Sequence, residues 1–358
     1  MRVGAFVLGA QFPGQGQSEA LERVVRATEA AEESGLDAVW LAEHHFVPYG
    51  VCPSAVTLAA LLLGRTRRIG VGTAVTVLPN VHPVALGEQA ALLHLLSEGR
   101  FALGVGRGGP WVDLEVFGGG LAAFEKGFPE ALDLLLRWLS EEQVGADGER
   151  YRFRPVSVVP RPRRVPVAHA PAGRADGDSG AGPRVVVACT SPGTVRLAAA
   201  RCLPMLLGMH SGDEEKAEMA AMWRREALAR GHGADAVEAA ADWHVSAGLV
   251  QVGDSHGQAR EELTRAMPGW LHEGLGAHVT VDGRERSMRD PLGYTELLCD
   301  LHPVGAPQLC ADRLAATSER TGISRFALLV EGTGELGGTE RNIQRLGEDV
   351  LPLLGQGG

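Results

Sequence analysis

Two adjacent imidazoles follow a short apolar run: Glu43-His44-His45-Phe46 comes directly after Ala38-Val39-Trp40-Leu41-Ala42. In an extended segment neighbouring side chains point to opposite faces, so one histidine could serve a pocket while the other packs or meets solvent. Such a histidine could act as a general acid or base, or donate a hydrogen bond to a reactive oxygen species. It could equally be a loop residue that satisfies backbone groups. Arg107 lies in the turn Gly106-Arg107-Gly108-Gly109, whose glycines let backbone approach a ligand. Thr190, Ser191 and Thr194 stand where a loop enters a helix. Hydroxyls and N–H groups at a helix start bind phosphate, and a guanidinium complements them. Ordinary N-capping by Ser191 and an exposed arginine would place the same residues there. A metal site from Glu43, His44 and a distant His210 or His244 lacks the H-x-x-x-H or carboxylate pattern that would support it.

The elements that must position these groups are short apolar strands alternating with amphipathic helices. Strands are expected at 3–8, 38–42, 69–75, 100–106, 184–188, 203–208, 245–252 and 326–331. Helices are expected at 18–34 (Ser18 as N-cap, Gly35 as C-cap), 53–65, 83–97, about 124–142, 192–201, 213–230, 255–272, 307–321 and 339–354. Continuous apolar strands joined by helical crossovers mean a parallel sheet buried on both faces. Eight such units favour an α/β fold closed as a (β/α)8 TIM barrel, with insertions after strands four and seven. The alternative, an open doubly wound sheet, lacks a G-x-G-x-x-G after the first strand. One domain over 1–358 is expected, with a flexible loop at 172–183 and a lid-like insertion at 274–303. In a barrel of this kind the site lies where strands end, which gathers the segments above at one mouth.

Composition narrows the partners. Net charge is −10, which disfavours nucleic acid and acidic membrane surfaces. No apolar run approaches the roughly 18 to 20 residues of a membrane span, and the N-terminus reads as a first strand and not as a signal peptide. The five cysteines (Cys52, Cys189, Cys202, Cys299, Cys310) are odd in number and far apart. That argues against a disulfide framework or structural zinc and for the cytoplasm.

The runs WLAEHHF (40–46), VGTAVTVLPNVHPVALGEQAALLHLLSEGRFALGVGRG (71–108), DLEVFG (113–118), LAAARCLPMLL (197–207) and PVGAPQLCADRL (303–314) resemble the catalytic subunit of the bacterial luciferase-like flavin-dependent monooxygenases. The match is ordered and runs nearly end to end. It implies a barrel that takes reduced FMN from a separate flavin reductase and uses O2 to oxygenate an organic substrate. It also implies that His44 is the catalytic histidine and that Arg107 holds the FMN phosphate with the loop Cys189-Thr190-Ser191 and Thr194. Ala74-Val75 matches a cis peptide under the flavin, Asp113 a carboxylate beside it, and Gly106 stands where the family has a cysteine. Cys189 replaces an acidic residue and Pro110 an aromatic one. These departures argue against light emission and a long-chain aldehyde, and leave a specialised-metabolite intermediate as plausible a substrate as an aldehyde. F420 is the alternative cofactor, and a non-catalytic flavin-binding subunit the alternative role. A homodimer through the helices at 53–65 and 83–97 is also implied.

Overall fold

Eight parallel strands pair into a closed ring: β1 (Arg2–Val7), β2 (Ala38–Leu41), β3 (Gly70–Thr73), β4 (Phe101–Gly106), β5 (Arg184–Cys189), β6 (Met205–Leu207), β7 (Val245–Leu249) and β8 (Arg325–Leu329). β1 pairs with β2 and β8, and the ring closes where Val71 and Gly72 of β3 meet Phe101 and Ala102 of β4. The chain is therefore a (β/α)8 barrel. The computed structural model describes residues 1–163, 182–276, 279 and 290–355.

Alternation along the strands fills two cores. Trp40, Val186, Leu206, Val245 and Ala327 meet inside the ring with Phe6 and Ala102 beside them. The residues of opposite parity, such as Val185, Val187, Val3 and Val39, form the outer core against the helices. The helix Gln17–Glu33 shows why it docks there: Ala20, Val24, Ala27 and Ala31 are buried at a helical spacing.

Several expected boundaries shift. The first helix starts at Gln17 after Gly16, which has no side chain to cap it, so Ser18 is not the N-cap. Gly35, at φ +77°, follows the last turn as expected of a helix terminator. The third strand stops at Thr73, and Thr76–Val77 resumes beside Val105 and Gly106 of β4. The seventh divides at Val250, after which Gln251–Val252 pairs with Val304–Gly305 instead. The stretch after 142 is not loose throughout: Gln143–Asp147 and Arg152–Ser157 form an antiparallel hairpin. The expected loop 172–183 lies outside the described residues except for its last two positions. A short helix, Ala234–Ala241, precedes β7 without having been expected. Within 274–303, the helix His256–Gly276 runs further than expected and Pro291–Leu301 is helical, capped by the Asp290 side chain. No described helix is long and apolar enough to cross a membrane. Among the described residues no group of three His, Cys, Asp or Glu could hold a metal ion.

Candidate active site at the C-terminal rim

The strand ends bring the expected segments onto one rim. Beyond β3 the Ala74–Val75 peptide is cis, and the Ala74 N–H donates to Leu41 O at the end of β2. A Cβ at Gly106 would lie 2.5 Å from Val75 Cγ2 and 3.6 Å from Ala188 Cβ, so the ends of β3, β4 and β5 approach too closely there for any side chain. On the far side of β5, Thr190 Cγ2 comes within 4.0 Å of where a Cβ on Gly208 would stand, just before His210.

His44 is half-buried beyond β2, and its ring sits edge-on to Tyr49 with centroids 5.1 Å apart. Tyr49 stacks on Trp270 at 4.7 Å, and Trp270 stacks on Phe12 at 5.4 Å. The Trp270 indole N–H donates to Tyr49 O. Burial pushes the Tyr49 hydroxyl up to about 12, so the column stays uncharged at neutral pH. Gly50 closes the other side: a Cβ there would stand 2.7 Å from His44 Nδ1 and 2.7 Å from Leu8 O. His45 takes the opposite environment. It is 8% exposed, packs edge-on against Phe117, and places Nε2 3.6 Å from Glu43 Oε1.

Two carboxylates brace this rim. Glu43 accepts from the Ala55 N–H at a helix start through Oε2 and from the Val77 N–H through Oε1. Glu331, just beyond β8, accepts from the Leu8 N–H and from Arg23 Nε at 3.2 Å, with both side chains about 1% exposed. Arg23 also donates to Gln15 Oε1, Gly334 O and Ala10 O, which pins the loop carrying Phe12.

The anion-binding candidates divide. The Arg107 guanidinium lies 3.9 Å over the Phe124 ring. Thr190 is exposed. Ser191 and Thr194 are committed to a reciprocal cap of the helix Pro192–Ala199: Ser191 Oγ accepts from the Thr194 N–H, and Thr194 Oγ1 accepts from the N–H groups of Thr190 and Ser191. Open space remains around Gly193, where a Cβ would meet only Ser191 Oγ, at 3.8 Å. Cys189 is a correction. Its side chain has outward parity and is fully buried in the outer core with Val195 and Ala198, so it does not face the rim. Burial pushes its thiol up, away from the thiolate.

Several polar atoms here are buried with no hydrogen-bond partner among the described residues: Asp113 Oδ1, Thr76 Oγ1, His45 Nε2 and the Asn80 amide. Such groups are costly unless a ligand or water meets them. Thr76, Asn80, Gly50, Glu43 as a brace and the Arg23–Glu331 pair were absent from the expected site. Asn80 carried one usable sequence signal, a polar residue in a short turn just past a strand end.

Residues 1–325 match the profile of the luciferase-like monooxygenases. The chain belongs to the luciferase-like monooxygenase family. It is 28% identical to the alkanal monooxygenase alpha chain of the Kryptophanaron alfredi symbiont, over 99% of this chain and 98% of that one. Among solved structures, monooxygenase RslO1 from Streptomyces bottropensis superposes with a TM-score of 0.79 at 22% identity, covering 98% and 99% of the two chains. The oxygenating constituent of 3,6-diketocamphane monooxygenase from Pseudomonas putida, a type II Baeyer–Villiger enzyme in complex with FMN, gives 0.75 at 18% over 99% and 98%. An F420-dependent secondary alcohol dehydrogenase with an F420-acetone adduct gives 0.71 at 17% over 99% and 98%. The same fold thus holds FMN in one of these proteins and an F420 adduct in another.

Proposed function

We propose that this luciferase-like protein is the oxygenase component of a two-component system, using reduced FMN and dioxygen to place one oxygen atom on an organic substrate. The observation that carries the reading is His44 set on the same rim as the Gly106 close approach and Arg107. Its imidazole is held between the Tyr49–Trp270–Phe12 column and Gly50. The partnerless buried atoms of Thr76, Asn80 and Asp113 suit a polar heterocycle bound among them.

In this reading the Arg107 guanidinium, Thr190 and the helix start at Gly193 hold the FMN phosphate. Ser191 and Thr194 shape that loop by capping each other. Ala74, Val75 and Gly106 would support the FMN ring system. When bound, reduced FMN supplies the electron pair that activates dioxygen. His44 Nε2, the ring nitrogen remote from Gly50, holds or passes the proton that the oxygen transfer requires. The apolar surroundings of Tyr49, Trp270 and Phe12 exclude water from that proton. A homodimer is part of the proposal. The helices Ala55–Arg65 and Pro83–Leu96 expose Leu61, Leu92 and Leu96 at 52%, 48% and 76%, the kind of apolar surface a partner copy would cover.

The F420 reading is kept because the secondary alcohol dehydrogenase with an F420 adduct shares this fold. One experiment separates them. The protein is mixed anaerobically with photo-reduced FMN or with reduced F420, then exposed to air with candidate aldehydes and polyketide-like ketones under labelled oxygen. Label in a product with FMN alone supports the proposal. Hydride transfer from F420 without label replaces it. Flavin binding without any product assigns a non-catalytic subunit.

A further inference from the structure

The helix His256–Gly276 buries one stripe of its surface: Ala259, Leu263, Met267, Trp270 and Leu271 recur at helical spacing and share a core cluster with Leu249 of β7 and Leu329 of β8. The next position on that stripe, one turn beyond Trp270 and Leu271, is Gly274, which is also buried. Periodicity calls for a side chain there. Glycine weakens a helix relative to alanine, and Gly274 is not among the glycines at positive φ, so the backbone gives no reason for it. The reason lies across the contact. A Cβ on Gly274 would stand 2.4 Å from Tyr49 Cδ2, 2.8 Å from Tyr49 Cβ and 3.0 Å from Tyr49 Cγ. Those atoms are the stem and near edge of the side chain, not a tip that could swing aside.

Tyr49 has little room to yield. Its ring lies within 7° of parallel to Trp270, whose indole N–H also holds the Tyr49 carbonyl. The His44 ring meets Tyr49 edge-on, and a Cβ at Gly50 would come 2.7 Å from His44 Nδ1, so the imidazole is confined on that side as well. Close-packed groups of this kind transmit a displacement instead of absorbing it. A helix more than 200 residues away in sequence therefore sets where the imidazole stands, through one missing side chain and one tyrosine ring.

We propose that Gly274 is a positioning residue for His44: by carrying no side chain it lets Tyr49 stand against the helix and hold the imidazole in place at the rim. Its consequence for turnover rests on the oxygenase reading given above; its consequence for the His44 ring does not.

The test follows the His44 ring resonances by NMR in the full chain without flavin, assigned by their loss in His44→Ala, alongside oxygen-dependent turnover and thermal unfolding. Gly274→Ala should shift those resonances and lower kcat about 10- to 100-fold, the scale of a small misplacement of a reacting group, with FMN affinity and substrate KM near those of the parent. Gly269→Ala is the control. It makes the same exchange on an exposed position of the same helix, where a Cβ would meet Pro13 at 3.2 Å and not Tyr49, and it should leave the His44 resonances and kcat unchanged. In a Tyr49→Ala background, Gly274→Ala should lower kcat less than about twofold further, because the two substitutions act through one ring. Should Gly274→Ala not fold, Tyr49→Ala alone must shift the resonances and lower kcat. His44 resonances that coincide with the parent's in Gly274→Ala, or in Tyr49→Ala where that variant stands in, would overturn the proposal, as would a full additional loss in the Tyr49→Ala background. Shifted resonances in a protein whose parent shows no oxygen-dependent turnover would support the positioning role and remove the oxygenase reading instead.

Discussion

At the N-terminal end of the barrel, Arg2, Arg184 and Arg325 open their strands at the parity of Phe6, Val186 and Ala327, which fill the ring. At the C-terminal rim, the groups suited to chemistry sit on the segments beyond the strands. There they are aimed by contacts between residues far apart in sequence, such as Arg23 with Glu331 and Trp270 with Tyr49. The two ends share a scaffold but differ in how precision is obtained. The N-terminal end needs only a sheet in register. The rim needs a second set of braces, so its groups can be disturbed without harm to the barrel, and the braces can be broken without touching the imidazole.

The largest expected effect separates chemistry from scaffold. His44→Ala should lower oxygen-dependent turnover about 10²- to 10⁴-fold while leaving the melting temperature near that of the parent. A rate equal to the parent's would remove the rim from the mechanism. Next, Arg23→Met strands the Glu331 carboxylate among apolar groups, and urea unfolding should show a loss of about 3 to 5 kcal/mol. The double variant Arg23→Met/Glu331→Leu should recover much of that loss, and failure to recover any would mean that the loop, and not the ion pair, is what matters. Arg107→Ala should then weaken FMN about 10- to 100-fold, as expected for one charge-assisted contact, with riboflavin binding unaltered. Equal weakening of both ligands would move the phosphate elsewhere.

The smallest effect is a pH dependence. Burial, with a contribution from Glu43 and against the attraction of His45, pushes the Asp113 carboxyl up to about 6 from 3.8. The folded chain thus holds this proton more tightly than the unfolded one. The associated stabilisation is full below about pH 4 and is lost as pH rises through about 6. Asp113→Asn should therefore melt higher than the parent above pH 6, with the two curves converging on acidification. Parallel curves across that range would show that the carboxyl is not titrating there.

Much of the barrel was legible because its signals are local. Apolar runs such as Val185–Val187 and Phe101–Val105 are continuous, and Gly35 and Gly99 punctuate the helices. The hairpin Gln143–Asp147/Arg152–Ser157 was not legible, since its outer strand is mostly exposed and carries Arg152, Arg154 and Pro155. Ala234–Ala241 hid for a related reason: its buried side is only Val237, Ala240 and Ala241. Placement at strand ends picked out the segments of His44, Ala74, Val75, Arg107 and Thr190. It could not reveal that Cys189 turns outward, because that depends on the parity with which β5 enters the ring. Nor could it reveal that Ser191 and Thr194 spend their hydroxyls on each other. The roles of Gly50 and Glu43 depend on which backbone passes beside them, and no nearby residue announces it.

The carboxylate of Glu43 fastens the segment after β2 to the segment after β3, through Ala55 on one side and Val77 on the other. Redesign of this protein inherits that knot. A graft that imports one segment from a relative and keeps the other leaves a backbone N–H without its acceptor, whereas exchanging residues 43–55 and 74–77 together carries the fastening along. The pair should be recombined as a single cassette, and libraries that shuffle them separately should be rich in misassembled clones.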